Sequence, residues 1–370
     1  MSQPIALPRW VDIILIPILN LLTAFVVSGL VIAALGENPF FAVSVMIKGA
    51  FYYPGSIGYT LYYTTNFMFT GLAVALAFHA RLFNIGGEGQ AYIGGLGVAV
   101  FCLLFDHYFF SWIVVLLAIF GALIFGATWA LIPGYLQAKR GSHIVITTIM
   151  FNFIAASLMV YLLVNVIIEP GQMSPETRDF NEGVGLLQIH QILNYFGFSS
   201  TATPLNLSFL IAILASFFVW LLIWHTKLGF DIRTLGNSET AAEYAGINVP
   251  RTIMIVMSIS GALASLVAVN EILGVHGRLL LGFTSGYGFT GIAVALMGRN
   301  HPIGIFLASL LFGMLYQGGA ELDFEFSTIT REMVLMIQGL IILFSGALAF
   351  MFNPVLEKIL FRLMKDKRED

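Results

Sequence analysis

Apolar residues fall in ten long blocks along the chain, at roughly 11–35, 57–82, 91–105, 113–136, 143–168, 207–226, 252–273, 286–298, 303–319 and 333–352. A helix that crosses a bilayer needs about 20 such residues. The pattern therefore predicts an all-α polytopic membrane protein with about ten transmembrane helices, although the third and eighth blocks fall short of that length. The first block, Val11 to Leu35, is too long for a signal-peptide core and lacks an evident small-residue cleavage site, so it reads as a retained first span. Between the second and third blocks the order is Phe83-Asn84-Ile85-Gly86-Gly87-Glu88-Gly89-Gln90, which sets three polar side chains among three glycines. Glycine lets a backbone leave helical geometry, and irregular backbone at membrane depth survives only inside protein or beside a wet cavity. The stretch reads either as a tight cytoplasmic turn or as at least one discontinuous helix beside a permeation path.

Composition agrees with the pattern. Hydrophobic residues make up 58% of the 370 and charged residues only 10%, against about 25% charged in a soluble domain. The whole chain, 1–370, reads as a single transmembrane domain. With both termini placed in the cytoplasm, thirteen basic residues fall inside: Arg9, Arg81, Lys139, Arg140, Lys227, Arg233, Arg251, Arg299, Lys358, Arg362, Lys365, Lys367 and Arg368. Only four, Lys48, Arg178, Arg278 and Arg331, fall outside. That asymmetry in short loops sets the orientation. The external loops are acidic instead, with Glu37, Asp106, Glu169, Glu176, Asp179, Glu182, Glu321, Asp323, Glu325 and Glu332. They are either solvated or positioned to receive basic residues of an external partner. A net charge of −3 without a basic patch argues against nucleic acid as a partner.

Two connecting segments are longer than connection requires. The external loop 169–206 carries Pro170, Pro175 and Pro204, and its apolar stretch from Leu186 to Phe198 points to a helix on the membrane surface or against a partner. The cytoplasmic loop 227–251 contains Ser238 as a candidate N-cap, Glu239 in a first turn, and Ala241, Ala242, Glu243 and Tyr244 continuing a short helix. Gly246 supplies the stop before Pro250. A helix of about two turns, isolated between spans, is not stable by propensity alone. Its existence implies packing against neighbouring helices or another subunit.

Catalytic chemistry is not legible. No Gly-Lys dipeptide occurs, so the GxxxxGK[ST] phosphate loop is missing, and the seven histidines lack HExxH spacing. The single cysteine, Cys102, excludes an internal disulfide and a thiolate cluster. No metal or cofactor is expected. An internal echo, TGLAVAL at Thr70–Leu76 and TGIAVAL at Thr290–Leu296, reads as one small-residue packing solution used twice, with Gly71/Ala75 and Gly291/Ala295 allowing close helix contact.

The segment Thr70 to Gly95, TGLAVALAFHARLFNIGGEGQAYIGG, resembles the permease subunits of nucleoside and simple-sugar ABC importers, which carry a closely similar NIGxEGQ block. Gly36-Glu37-Asn38-Pro39, TTIMFNF (Thr147 to Phe153), ETAAEYAGI (Glu239 to Ile247), SGALA (Ser260 to Ala264) and GYGFTGIAVALMGRNHP (Gly286 to Pro302) extend the resemblance over nearly all of the chain. The longer N-terminal region is similar to that of the larger of two paralogous permeases. The resemblance implies a multi-pass subunit in a bacterial cytoplasmic membrane, surrounded by membrane lipid and paired with a second permease. It also implies a cytoplasmic ATP-binding-cassette ATPase and an extracytoplasmic substrate-binding lipoprotein. Ser238, Glu239, Ala242, Glu243, Tyr244 and Gly246 correspond to the element that couples such permeases to the ATPase.

A nucleoside offers a flat base for stacking and ribose hydroxyls for amides and carboxylates. Polar groups inside a membrane are functional candidates by default. Asn84, Glu88 and Gln90 come first, then Asn66, Asn152, Asn270 and Glu271, with Phe83, Phe153 and Tyr287 as aromatic candidates. For the asparagines the competing role is interhelical hydrogen bonding, and for Glu88 it is an ion pair with Arg81. An ion-coupled secondary transporter of a small polar solute is the alternative function. It would share the intramembrane Glu88 and Glu271 but need no coupling helix.

Overall fold

A computed structural model describes Val11 and residues 15–344. Arg9, the five basic residues from Lys358 to Arg368 and the end of the last apolar block lie outside the described residues. Helices α1 (Ile16–Ala34), α2 (Pro39–Phe51), α3 (Ser56–His79), α4 (Gly87–Phe105), α5 (Ser111–Arg140), α6 (Ile144–Asn165) and α7 (Ile189–Tyr195) follow in order. Then come α8 (Ser208–His225), α9 (Lys227–Asn237), α10 (Glu239–Tyr244), α11 (Val249–Ala268), α12 (Tyr287–Met297), α13 (Pro302–Glu325) and α14 (Arg331–Ile342). A π-helical segment, Val269–His276, continues α11.

Each apolar block coincides with a helix, but blocks and spans are not equivalent. Among the described residues, seven helices are long and apolar enough to cross a membrane, or eight if the bent pair α1 and α2 is one span. The chain is a multi-pass α-helical membrane protein. The eighth block is the 11-residue α12, too short to cross alone. Helix α2 was not expected. Its apolar residues sit close behind the Gly36–Asn38 turn, and the Asn38 side chain accepts from the Phe40 and Phe41 N–H groups, starting a second helix at once.

The chain divides into two compact units, residues 1–49 with 315–370 and residues 50–314. In the first, α1 packs with α14. Phe41 meets the edge of Phe326 at 5.5 Å, and the Thr328 hydroxyl donates to Glu37. In the second, α11 packs along α5, α5 along α4, and α3 against both α11 and α12. These crossings run through residues with no bulk. A Cβ on Gly97 of α4 would lie 2.4 Å from the Gly121 carbonyl of α5, and one on Gly261 of α11 would lie 2.3 Å from that of Gly126. With little hydrophobic drive between helices in lipid, close backbone approach of this kind supplies the contact.

Burial separates the helices by role. In the apolar window of α3, 83% of residues are buried, against 28% in α6 and 33% in both α5 and α8. The inner helix α3 carries Thr60, Thr64, Thr65, Asn66 and Thr70, all buried, while the outer helices leave Phe and Leu side chains exposed. The echoed heptapeptides pack against each other. A Cβ on Gly291 would touch the Thr70 side chain at 2.4 Å, and one on Gly71 would touch Val294 at 2.8 Å. One motif supplies the surface that the other needs.

The external loop 169–206 folds back onto the second unit. Arg178 donates two hydrogen bonds to the buried Asp106 carboxylate, at 2.8 and 2.9 Å. Arg278 pairs with Glu176 at 3.2 Å and with Asp179 at 3.3 Å. Asp106, Glu176 and Asp179 thus have cationic partners within the chain. Burial opposes ionisation of Asp106, yet the Arg178 bonds and the Asn181 N–H outweigh it and hold the carboxyl below its usual range. Asp106 in turn pushes the Arg178 guanidinium up. The expected apolar stretch contains α7, which opens on a Gln188–Gln191 capping box and leaves Tyr195, Phe196 and Phe198 exposed.

Candidate functional site

Three groups of residues carry the polar chemistry of the second unit. The first is built on FNIGGEGQ. Helix α3 ends at His79 and Arg81 takes a left-handed conformation. The chain then runs without regular structure to Gly87, where α4 begins. Since α3 and α4 are each of spanning length, the stretch connects two helices, and its last four residues form the first turn of α4.

This connection is fully tied. Asn84 and Gln90 exchange amide hydrogen bonds, each 3.0 Å long, and Asn84 also donates to the Ser260 hydroxyl at 2.8 Å. The Asn84 carbonyl oxygen accepts from the Gly86 N–H at 2.9 Å. Asn152 on α6 accepts from the Gly89 N–H and donates to the Ile85 carbonyl, both at 2.9 Å. Glu88 does not pair with Arg81. Its carboxylate accepts from the Thr284 hydroxyl, from the Gly286 N–H at 3.1 Å and from the Gly288 N–H at 2.9 Å. The donors sit where α12 begins, so Glu88 caps α12 while occupying the first turn of α4. A carboxylate is favoured at both helix N-termini by the unpaired N–H groups and the macrodipole. Gly288 is obligatory, because its Cβ would fall 2.1 Å from the Glu88 nitrogen. Phe83 stacks edge-on with Phe78 at 4.8 Å, and Phe153 is exposed.

The second group joins α3 to the π-helical segment. Glu271 is buried, and its Oε1 accepts from the Tyr62 hydroxyl at 2.6 Å and from the Asn66 amide at 2.5 Å. The His276 ring lies 3.5 Å from Oε2. Asn270 donates to Asn66 and accepts from Asn206, both at 2.9 Å, and also accepts from the Ser208 hydroxyl. Beside Asn66, the Phe67 ring meets Tyr287 edge-on at 5.5 Å. Asn66 and Glu271 are thus gathered at one place with Tyr287 beside Phe67, and because Tyr287 stands between the two glycines that donate to Glu88, this group adjoins the bonding set of Asn84, Glu88, Gln90 and Asn152 at the start of α12.

Tyr62, His276, Asn206 and Ser208 are members that sequence reading missed. Tyr62 was within reach, since it stands four residues before Asn66 on one helical face. His276 was not. Five residues from Glu271, it belongs on a different face of a regular α-helix, whereas the i→i+5 repeat of a π-helix brings the two together.

The third group lies between α8 and α11. The expected short helix is present as α10, with the Ser238 hydroxyl accepting from the Ala241 N–H at 3.3 Å. Ala242 is buried, Tyr244 is 96% exposed, and Gly246 turns with a φ of +76°. The helix is not isolated. Its neighbour α9 begins on a Thr226 cap, where the hydroxyl accepts from the Gly229 N–H at 3.0 Å, and Gly236 brings α9 against the carbonyl of His79 at the end of α3. Glu239 and Glu243 line a cleft of about 480 Å³ with Arg81 and Gln137. Among the described residues no group of three His, Cys, Asp or Glu is placed to hold a metal ion.

The sequence matches the family model "Branched-chain amino acid transport system / permease component" over residues 56–346. Among curated proteins, it is 33% identical over 351 residues to the guanosine ABC transporter permease of Bacillus subtilis, covering 93% of this chain and 97% of that one. It is 32% identical over 346 residues to a nucleoside ABC transporter permease of Lactococcus lactis subsp. cremoris, covering 93% of each. Identity is also 32%, over 332 residues, to the glucose ABC transporter permease of Haloferax volcanii, covering 89% of this chain and 86% of that one.

Proposed function

The chain belongs to the branched-chain amino acid transport system / permease component family, and from that premise we propose that it forms the translocation pathway of an importer for nucleosides or related simple sugars, driven by a separate ATPase. It is an ABC importer permease by family, a class of subunit that is not itself an enzyme. The substrate class follows the guanosine, nucleoside and glucose permeases it resembles over most of its length. The proposal includes about ten spans with both termini in the cytoplasm of a bacterial plasma membrane. It also includes a second, paralogous permease, a cytoplasmic ATP-binding-cassette ATPase and an external substrate-binding lipoprotein.

The observation that carries the coupling role is the α9–α10 pair. Helix α10 has only six residues, too few to hold by propensity. It is kept by its Ser238 cap and by Ala242 buried against the bundle, and it presents Tyr244 outward. Ser238, Glu239, Ala242, Glu243, Tyr244 and Gly246 form the contact for the ATPase. Closure of the ATPase on ATP moves this pair against the end of α3, and the permease exchanges between outward- and inward-open states. Solute passes the Asn66, Glu271 and Tyr287 group, while Phe83, Asn84, Glu88, Gln90 and Asn152 hold the connection that frames the path.

Replacing residues 239–246 with a Gly-Ser segment should abolish solute-stimulated ATP hydrolysis and uptake in the reconstituted assembly while insertion stays normal. Unchanged uptake would overturn the reading. It would favour an ion-coupled secondary transporter, for which the buried Glu271 beside His276 is the supporting observation.

A further inference from the structure

The first turns of α9 and α11 enclose a cleft of about 470 Å³ just beyond the end of α8. Lys227 and Arg251 line it, together with Phe230, Ile247 and Ile255. Each cation stands in a turn fixed by a cap. The Thr226 hydroxyl accepts from the Gly229 N–H at 3.0 Å, and the Asn248 side chain accepts from the Arg251 N–H at 3.1 Å. Both cations are exposed, and among the described residues neither is in an ion pair. Asp231 also lines the cleft, yet it is bridged to neither of them. The positive ends of two helix macrodipoles add to the two side-chain charges, so the cleft favours an anion.

The cleft leads into an apolar groove. Ile255 and Ile259 stand four residues apart on one face of α11. The first lines the cleft, and the second lines a groove of about 520 Å³ between α5, α8 and α11. Leu214 and Phe218 form its α8 wall. All three helices are long and apolar enough to span a membrane, so the groove lies at acyl-chain depth and the cleft at headgroup level. Trp220 and Trp224, in the last turns of α8, mark the same boundary. A small soluble anion makes no use of such a groove, and an extended protein segment would leave its backbone N–H and C=O groups unpaired there. A phospholipid brings both the charged head and the apolar tail that the two parts require.

We propose that this continuous site binds one anionic phospholipid, its phosphate at Lys227 and Arg251 and an acyl chain along Ile255, Ile259 and Phe218. The walls of the cleft are the two ends of the α9–α10 element, the first turn of α9 and the link 245–248. The lipid therefore holds the Ser238–Tyr244 helix in place between α8 and α11, and it does so whichever solute is carried. A second apolar groove, between α8 and α13, has no cation in its lining and serves as the control.

The test is native mass spectrometry of the intact transporter in detergent, loaded in turn with phosphatidylglycerol and phosphatidylcholine. One more phosphatidylglycerol than phosphatidylcholine should be retained per copy of this chain. Lys227→Gln and Arg251→Gln should each weaken that retention about fivefold, and Arg140→Gln, at the end of α5 and outside the cleft, should not change it. Leu214→Trp, at a position 66% exposed, should fill the groove and abolish retention, while Ile303→Trp in the control groove should leave it unchanged. Equal retention of the two lipids would overturn the proposal, as would equal loss from the two tryptophan variants. Retention that survives Leu214→Trp would mean a headgroup site without a chain and would overturn it too. So would a photo-crosslink from position 214 to another subunit in place of lipid. If Leu214→Trp fails to assemble, the three charge variants decide the question, because they leave the groove intact.

Discussion

Glu88, half-buried, and Glu271, buried, are both carboxylates held inside a helical bundle, but their partners differ in kind. Glu88 is held by two backbone N–H groups and one hydroxyl at the start of α12. Glu271 is held by side chains alone, the Tyr62 phenol, the Asn66 amide and the His276 ring. Backbone donors cannot turn away without unwinding a helix, whereas side-chain donors exchange partners by rotating about χ angles. Glu88 therefore acts as a fixed brace between α4 and α12. Glu271 sits in a network that can trade a protein donor for a solute hydroxyl. On the proposed pathway, Glu88 is then a framework residue and Glu271 the residue that would meet solute.

The largest effect should come from breaking the brace. Glu88→Ala leaves the Gly286 and Gly288 N–H groups and the Thr284 hydroxyl without their acceptor in a half-buried site, at about 1–3 kcal/mol for each group that water does not reach. Gly288→Ala forces backbone against backbone. Both variants should lower the midpoint of denaturant or thermal unfolding in detergent and reduce assembly. A Glu88→Ala protein as stable as the parent would remove the distinction between the carboxylates. Glu271→Gln should do the reverse. Its amide still accepts from Tyr62 or Asn66, so stability should stay within about 1 kcal/mol of the parent, while uptake should fall about tenfold or more.

A smaller effect is expected at α10. Ser238→Ala removes the N-cap at a cost of about 1 kcal/mol, which corresponds to roughly a fivefold fall in ATP-driven uptake if α10 must be helical to engage its partner. Uptake at parental rate would separate helix formation from coupling. The smallest effect should lie in the external loop. The Asp106 carboxyl is held below its usual range in the folded chain. Its tie to Arg178 therefore contributes stability above the ordinary carboxylate pKa of about 3.9 and loses it as pH falls below that value. Proteolysis within 169–206 should accelerate on acidification to about pH 3, and Asp106→Asn should make cleavage fast at every pH.

Much of this architecture is legible in the residue order. Long apolar runs mark the helices, Ser238 and Gly246 bracket α10, and costly polar residues inside apolar runs mark Asn66, Asn270 and Glu271. What escapes the sequence does so for physical reasons. Helix α9 is obscured by Gly229 and Gly236, which lower helix propensity but are required where α9 meets the Leu222 and His79 carbonyls. The Glu271–His276 contact depends on a π-helical repeat that periodicity analysis does not assume. The Glu88 brace joins positions about two hundred residues apart, and no local pattern announces it. The echoed heptapeptides do carry a signal, since two like motifs with matching glycines are suited to packing on each other, as Gly71 and Gly291 do.

The most direct test of the division between brace and contact is solute uptake by the reconstituted assembly carrying Glu271→Gln, with assembly and basal ATP hydrolysis measured on the same preparation. Intact assembly, near-parental basal hydrolysis and uptake reduced about tenfold or more are expected. Parental uptake, or loss of assembly equal to that of Glu88→Ala, would contradict that division.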